Sequence, residues 1–374
     1  MPDPRRARGV RHALLPVLVL AACAVLAGAR SFTAIAEHAR DVGAGVLIEL
    51  ADRLAIDPEH AALVVPHEST IRRLLQQLDP AALEAARGSW TSAQLGTRPT
   101  GVDRPRREQR PVWALDGKTV RGARTPDGLP HLVSVIDQAS GVVLAQTQVP
   151  AKAAELTAAV TVLSGLDLHG VVVTADALHT QRTHADYLYE RGGHYVMTVK
   201  ANQPGLLARL RRIPWSAVGP CTQQRARGHG RIETRTISVV ALDPCPDGRG
   251  EFFPHAAQAI RVIRRRRPLR PGGRWRVVTV YAITSLGGAD ADPALLAGWI
   301  RGHWGIENRL HWVRDVSFDE DRSAVRTGAG PQTMAALRNL AITALRLDGV
   351  TNIAAALRHH ARDASRALHT YKIT

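Results

Sequence analysis

A chain of 374 residues with 49 Lys and Arg against 33 Asp and Glu carries a formal charge of +16. With 45% hydrophobic and 22% charged residues it reads as a folded protein of two or three domains, not a disordered one. Three cysteines, Cys23, Cys221 and Cys245, are too few and too scattered for a disulfide scaffold or a zinc ribbon. The basic surplus is almost all arginine, the only lysines being Lys118, Lys152, Lys200 and Lys372. A positive field of that size favours a polyanionic partner, nucleic acid ahead of a membrane surface.

The first element is the apolar run Ala13 to Ala29, preceded by Arg5, Arg6, Arg8 and Arg11. Locally this has the form of a secretory signal. Its length is marginal for a bilayer, it contains Pro16, and a helical pattern continues beyond it, so a buried helix is expected. Residues 13–88 read as helical throughout, with Ser31 capping one helix and Ser69 or Thr70 capping another. In the latter, Ile71, Leu74, Leu75 and Leu78 form one buried stripe, leaving Arg72 and Arg73 outside it. The Gly, Pro and Arg content of 91–111 predicts a linker.

Beyond it the texture changes to strands at 111–116, 131–137 and 141–149, a helix at 151–166, a strand at 170–176, a helix near 180–191 and a strand at 194–199. Three strands, a helix, then strand, helix and strand are the opening order of a ribonuclease-H-like α/β domain. Residues 201–290 are Arg- and Gly-rich with β-like stretches, an expected β-rich insertion. Pro293 then opens a long helix, a second follows Pro331, and the tail from Asn352 is helical.

Asp116 and Asp176 each close an apolar strand, at the sheet edge where α/β proteins bind ligands. Paired acids suit phosphodiester chemistry, because two divalent ions can activate an attacking oxygen and stabilise a leaving one. The third acid is expected from the helix: His303, Glu307 and His311 recur at i, i+4 and share a face, with Arg314 a turn further. Trp299, Ile306, Leu310 and Val313 supply its apolar stripe. The acidic run Asp315, Asp319, Glu320 and Asp321 reads as a solvated turn, and Asp137 as a hairpin residue. No phosphate-loop, dinucleotide or serine-hydrolase spacing occurs.

The segments ALDGKTVRGA, VVVTADALHTQ, YVMTVKANQPGL, GHGRIETR, IRGHWGIENRLHWVRDVSFDED and PQTMAALRNLAITALR, in that order, resemble the ISAs-type, or H-repeat-associated, transposases of bacterial insertion sequences. The N-terminal stretch resembles the helical region that precedes their catalytic domain. The resemblance implies a DDE transposase: an α/β fold with a ribonuclease-H-like catalytic core and a β-rich insertion, preceded by an N-terminal helical domain and followed by C-terminal helices. The corresponding domains are 1–90, a linker at 91–111, a catalytic domain at 112–350 with its insertion at about 201–290, and a tail at 351–374. It carries the catalytic, metal-holding acids onto Asp116, Asp176 and Glu307. The implied cofactor is two Mg²⁺ ions, with Mn²⁺ a substitute. Implied partners are double-stranded DNA, as terminal inverted repeats and target, and a second copy of the chain, in the cytoplasm and without a membrane. Of the family's Tyr–Arg–Glu–Lys signature, Ile300 stands at the Tyr position, His303 at the Arg and Arg314 at the Lys. Candidate DNA contacts are Lys200, Arg231, Arg301, His303, His311, Arg314 and the arginine run 264–267. Trp304 and Trp312 are candidates to stack on a displaced base, although helix aromatics more often join a core. The rival reading is a non-catalytic, DNA-binding transposase derivative that acts as a repressor.

Overall fold

The computed structural model describes residues 1–5, 10–42, 48, 50, 52, 65–96, 110–124, 128–149, 155–228, 230–242 and 252–373. Before the first strand the described residues include helices α1 (Leu14–Leu26), α2 (Phe32–Asp41), α3 (Glu68–Gln77) and α4 (Pro80–Gly96). Strands β1 (Val112–Thr119), β2 (His131–Asp137) and β3 (Val143–Val149) lead to helix α5 (Glu155–Ser164) and strand β4 (Val172–Ala175). Helix α6 (Arg182–Glu190), strand β5 (His194–Val199) and helix α7 (Pro204–Arg212) follow. Strands β6 (Thr222–Gly228), β7 (Arg231–Ala241), β8 (Gln258–Pro268) and β9 (Arg276–Thr284) precede helix α8 (Pro293–His303). The last helices are α9 (Gly330–Leu347), α10 (Ile353–His360) and α11 (Ser365–Thr370). Strand order is β3-β2-β1-β4-β5-β9-β8-β7-β6. The chain forms two compact units, one of Met1–Pro99, Gly117–Ala158 and Ile306–Thr374, the other of Thr100–Asp116 and Ala159–Gly305.

In the first unit the apolar N-terminal run is a 13-residue helix with Val17 and Leu20 through Leu26 buried. Among the described residues no helix is long and apolar enough to cross a membrane. Ser31 caps α2 as expected, its Oγ accepting from the Ala34 N–H at 3.1 Å. The stripe of α3 is buried as its spacing requires, Leu75 completely. Its cap is His67, not Ser69 or Thr70: Nδ1 accepts from the Ser69 N–H and the helix begins two or three residues earlier than expected. Helix α4 runs to Gly96, so 91–96 of the expected linker are helical; 97–109 lie outside the described residues. Arg87 ties α4 to β3, donating to the carbonyls of Val143 (2.7 Å) and Leu144 (3.2 Å) while paired with Glu84. Helix α9 is buried along almost its whole length, and Thr333 donates to the carbonyl of Leu75.

In the second unit β1, β4 and β5 are parallel neighbours and read as near-continuous apolar runs because both faces are covered. Alternate residues serve opposite sides. Val172 and Val196 join Ile237, Ile260 and Ala282 under Leu296 and Trp299 of α8. Leu115, Val173 and Met197 face Ala159, Leu163 and Leu188 of α5 and α6. The β-rich region expected at 201–290 is an antiparallel run that joins β5 through β9. Its outer strand β6, Thr-Gln-Gln-Arg-Ala-Arg-Gly, has no apolar alternation and was not expected from pattern. Helix α8 starts where Pro293 predicts, capped by Asp292, whose carboxylate accepts from the Ala294 and Leu295 N–H groups at 2.9 Å.

Candidate active site

In the second unit Leu115 of β1 and Ala175 of β4 are register partners. Asp116 and Asp176, each the next residue, therefore stand side by side on neighbouring parallel strands, where main chains run about 4.8 Å apart. Strand alternation puts both on the face of Thr174, the side occupied by α8. Asp176 leaves its strand at once to cap a turn over Ala177–His179, one carboxylate oxygen accepting from the Leu178 N–H at 2.8 Å. Asp116 does not end its strand, contrary to expectation, because β1 continues to Thr119. Lys200 follows the end of β5, the next strand over, and is exposed.

The same face holds His303, at the end of α8. Thr174 Oγ1 donates to the Trp113 carbonyl (3.1 Å) and so takes a hydrogen bond from His303 Nδ1, also 3.1 Å. Desolvation holds the imidazole down at about 4, outweighing the attraction of Asp176, so it is uncharged at neutral pH. The expected cation at this position is absent for a physical reason, burial.

In the first unit Glu307 opens a π-helical segment, Glu307–His311, followed by a second, Val313–Ser317. Such wide turns concentrate at functional sites. Glu307 Oε2 lies 3.2 Å from His311 Nδ1, a pairing not anticipated from the sequence. The imidazole is buried and the carboxylate is half exposed. The hydrogen bond from His311 is the main reason the Glu307 carboxyl titrates below its usual range, with His311 charge and Lys118 adding to it. Ile306, Leu310 and Val313 are buried as the stripe predicted, whereas Trp312 is half exposed.

Behind Glu307 the acidic run is not a solvated turn. Glu320 is completely buried, bound to Arg314 at 2.7 Å and to Arg338 at 2.8 Å. Arg314 also donates to Gln146 Oε1 at 2.7 Å and has no exposed surface, which removes it from the candidate DNA contacts. Its charge is matched inside the protein. His311 leaves that set as well, because it is buried against Glu307. Lys118 is buried too, with Nζ 2.5 Å from Asp315 and 3.7 Å from Asp321. Burial and the neighbouring acids Asp321 and Glu320 raise the Asp315 carboxyl despite that bond.

The Asp-Gly-Lys-Thr sequence thereby acquires a residue-by-residue account. A Cβ on Gly117 would collide with His131 Nε2 and the Glu155 carboxyl, which form a buried 2.8 Å pair. Thr119 Oγ1 lies 3.0 Å from His131 Nδ1. Sequence reading missed Lys118, His131 and Glu155 as site supports. The signal for Lys118 was present, since it is two residues from Asp116 and one of only four lysines. None exists for a His and a Glu 24 positions apart.

Comparison with known proteins identifies the family of the chain. Residues 107–344 match the family model described as "Transposase DDE domain". The chain belongs to the DDE transposase family. Residues 1–91 match the DDE_Tnp_1-associated model that accompanies it. The H repeat-associated putative transposase YhhI of Escherichia coli K12 is 29% identical over 98% of this chain and 93% of its own length. The putative transposase YncI of Escherichia coli O157:H7 is 30% identical over 92% of this chain and 85% of its own. Both the family and the H-repeat resemblance read from the motifs are therefore correct. Among solved structures, the "piggyBac transposase synaptic complex with hairpin DNA" is similar at a TM-score of 0.41 and 10% identity, over 98% of this chain and 75% of that one. Of the expected DNA-contact set, Lys200, Arg231, Arg265, Arg267 and Arg301 are exposed.

Proposed function

We propose that this transposase cleaves DNA at the ends of an insertion sequence and joins the freed ends to target DNA, using Asp116, Asp176 and Glu307 as its catalytic acids on a ribonuclease-H-like core. The observation that carries the reading is that Asp116 and Asp176 each directly follow one of the register partners Leu115 and Ala175 of the adjacent parallel strands β1 and β4. The strand order β3-β2-β1-β4-β5, with β1, β4 and β5 parallel, supports the core. The donor set fits a hard divalent cation. Three carboxylates and no thiolate favour Mg²⁺ or Mn²⁺ over zinc. When bound, two such ions lower the pKa of an attacking water or hydroxyl and stabilise the departing oxygen.

The chain's own residues supply the rest. The Leu178 N–H fixes one oxygen of Asp176. The bond from His311 keeps Glu307 ionised and aimed, the usual work of a partner behind a ligand. Each chemical step exchanges one phosphodiester P–O bond for another: water displaces a 3′ oxygen, then that 3′-OH displaces an oxygen of the target strand. No covalent protein intermediate is required. In this reading the substrates are terminal inverted repeats and target DNA, the working form is a dimer of the chain on DNA, and the location is the cytoplasm.

The test is a duplex ending in the element's inverted repeat, incubated with Mg²⁺. Asp116→Asn should abolish strand cleavage while binding stays within about twofold, since a positioned metal acid contributes mainly to the transition state. Full cleavage by Asp116→Asn would remove the assignment. Binding without nicking by the unaltered protein would instead favour the repressor reading.

A further inference from the structure

The arginine run 264–267 lies in β8, so its members alternate between the two faces of the antiparallel sheet β6–β9. Register determines the company each keeps. Arg265 lies across from Thr234, which pairs with Arg225 on β6; Arg267 lies across from Ile232, which pairs with Arg227. One face therefore carries Arg225, Arg227, Arg265 and Arg267, and all four are exposed. Among the described residues in register on it there is no carboxylate. Trp275 joins this face, with the guanidinium carbons of Arg265 and Arg267 each 5.3 Å from its ring centre. The arginine stems cover Ile232 and Thr234, which are buried although the strands project to solvent.

The opposite face differs. Arg264 and Arg266 lie across from Arg235 and Glu233. Glu233 is bound to Arg235 at 2.6 Å and approaches Arg231 at 3.9 Å. Part of the positive charge there is already matched within the sheet, and an anion would meet a carboxylate.

We propose that the face bearing Arg225, Arg227, Arg265 and Arg267 is a phosphodiester-backbone docking surface for DNA, and that the opposite face is not. The proposal rests on the transposase reading for its partner, and on register and charge for its location. Residues two apart on a strand are about 6.7 Å from one another, and alternate strands about 9.6 Å, so the guanidinia form a grid that can meet several phosphates at once. Guanidinium forks grip phosphate bidentately, and stacking on Trp275 limits the freedom lost when they do. The surface reads no bases. It adds affinity and orientation to DNA held elsewhere.

The experiment is duplex binding by fluorescence anisotropy across a salt series, in chelator so that no strand is cut. R265A/R267A should flatten the slope of log affinity against log salt by about 1.8, two phosphate contacts at about 0.9 each. R225A/R227A, two strands away on the same face, should do likewise. R264A/R266A should leave the slope unchanged. Equal losses from the two faces, or an unchanged slope in both R265A/R267A and R225A/R227A, would overturn the proposal. Cleavage by the unaltered protein separates this from the catalytic reading: metal-dependent nicking with no face dependence refutes the docking surface alone. A protein that binds no DNA refutes both.

Discussion

Replacing Glu320 by glutamine keeps the shape of a buried side chain and removes its charge from between two arginines. Glu320 and Arg314 have no exposed side-chain surface and Arg338 has 2%, so water cannot screen the loss. The surrounding guanidinia overcome the cost of burying the carboxylate and hold it at about 2 instead of 4.5. At 1.36 kcal/mol for each pH unit, the folded state favours the ionised form by about 3 kcal/mol. Because the folded value is depressed, that contribution is complete above about pH 4.5 and is lost as pH falls toward 2. Glu320→Gln should therefore cost about 3–5 kcal/mol at neutral pH, the range for leaving buried charge unmatched. Urea denaturation followed by circular dichroism should show a gap between the two proteins that narrows by about 3 kcal/mol on acidification. A cost below about 1 kcal/mol, or a gap independent of pH, would show that the ion cluster does not hold this segment.

His311→Ala should lower strand cleavage about 10–100-fold, with DNA binding preserved, because it removes the group that aims Glu307. His311→Asn, which can still donate a hydrogen bond, should recover part of that loss; an alanine variant as active as the parent would refute the role. Gly117→Ala should lower stability by about 1–3 kcal/mol through overpacking against His131 and Glu155. An unchanged melting temperature would show that the His131–Glu155 pair yields without cost.

Local periodicity conveyed much of the scaffold. The stripe Ile71, Leu74, Leu75 and Leu78 and the apolar runs of β2, β4 and β5 had to be buried, and they are. What local pattern conveyed poorly was polar backbone with no apolar period. Strand β6 is held by pairing to β7, a relation no window of its own residues contains. The end of β1 was misplaced for a similar reason. Asp-Gly reads as a turn, but here the glycine remains in the strand because a buried His–Glu pair occupies the space beneath it.

Asp116 and Asp176 stood out in the sequence because each follows a strong apolar run, and Glu307 because it shares i, i+4 spacing with His303 and His311. The charges around them were not legible. Sequence counts every arginine and histidine as a potential surface cation, yet folding decides which remain available. His303 is neutralised by desolvation, and Arg314 is consumed by Glu320. The two positions at which the family signature expects basic side chains near the last acid thus present no surface charge. If DNA is to be held, the positive charge must act from elsewhere. The described residues offer it in quantity on the projecting strands, where four arginines in register face solvent without a carboxylate among them. In the proposed reading, catalytic acids and cationic grip are carried by different parts of the fold. Loss of cleavage and loss of salt-sensitive binding should accordingly be separable by mutation.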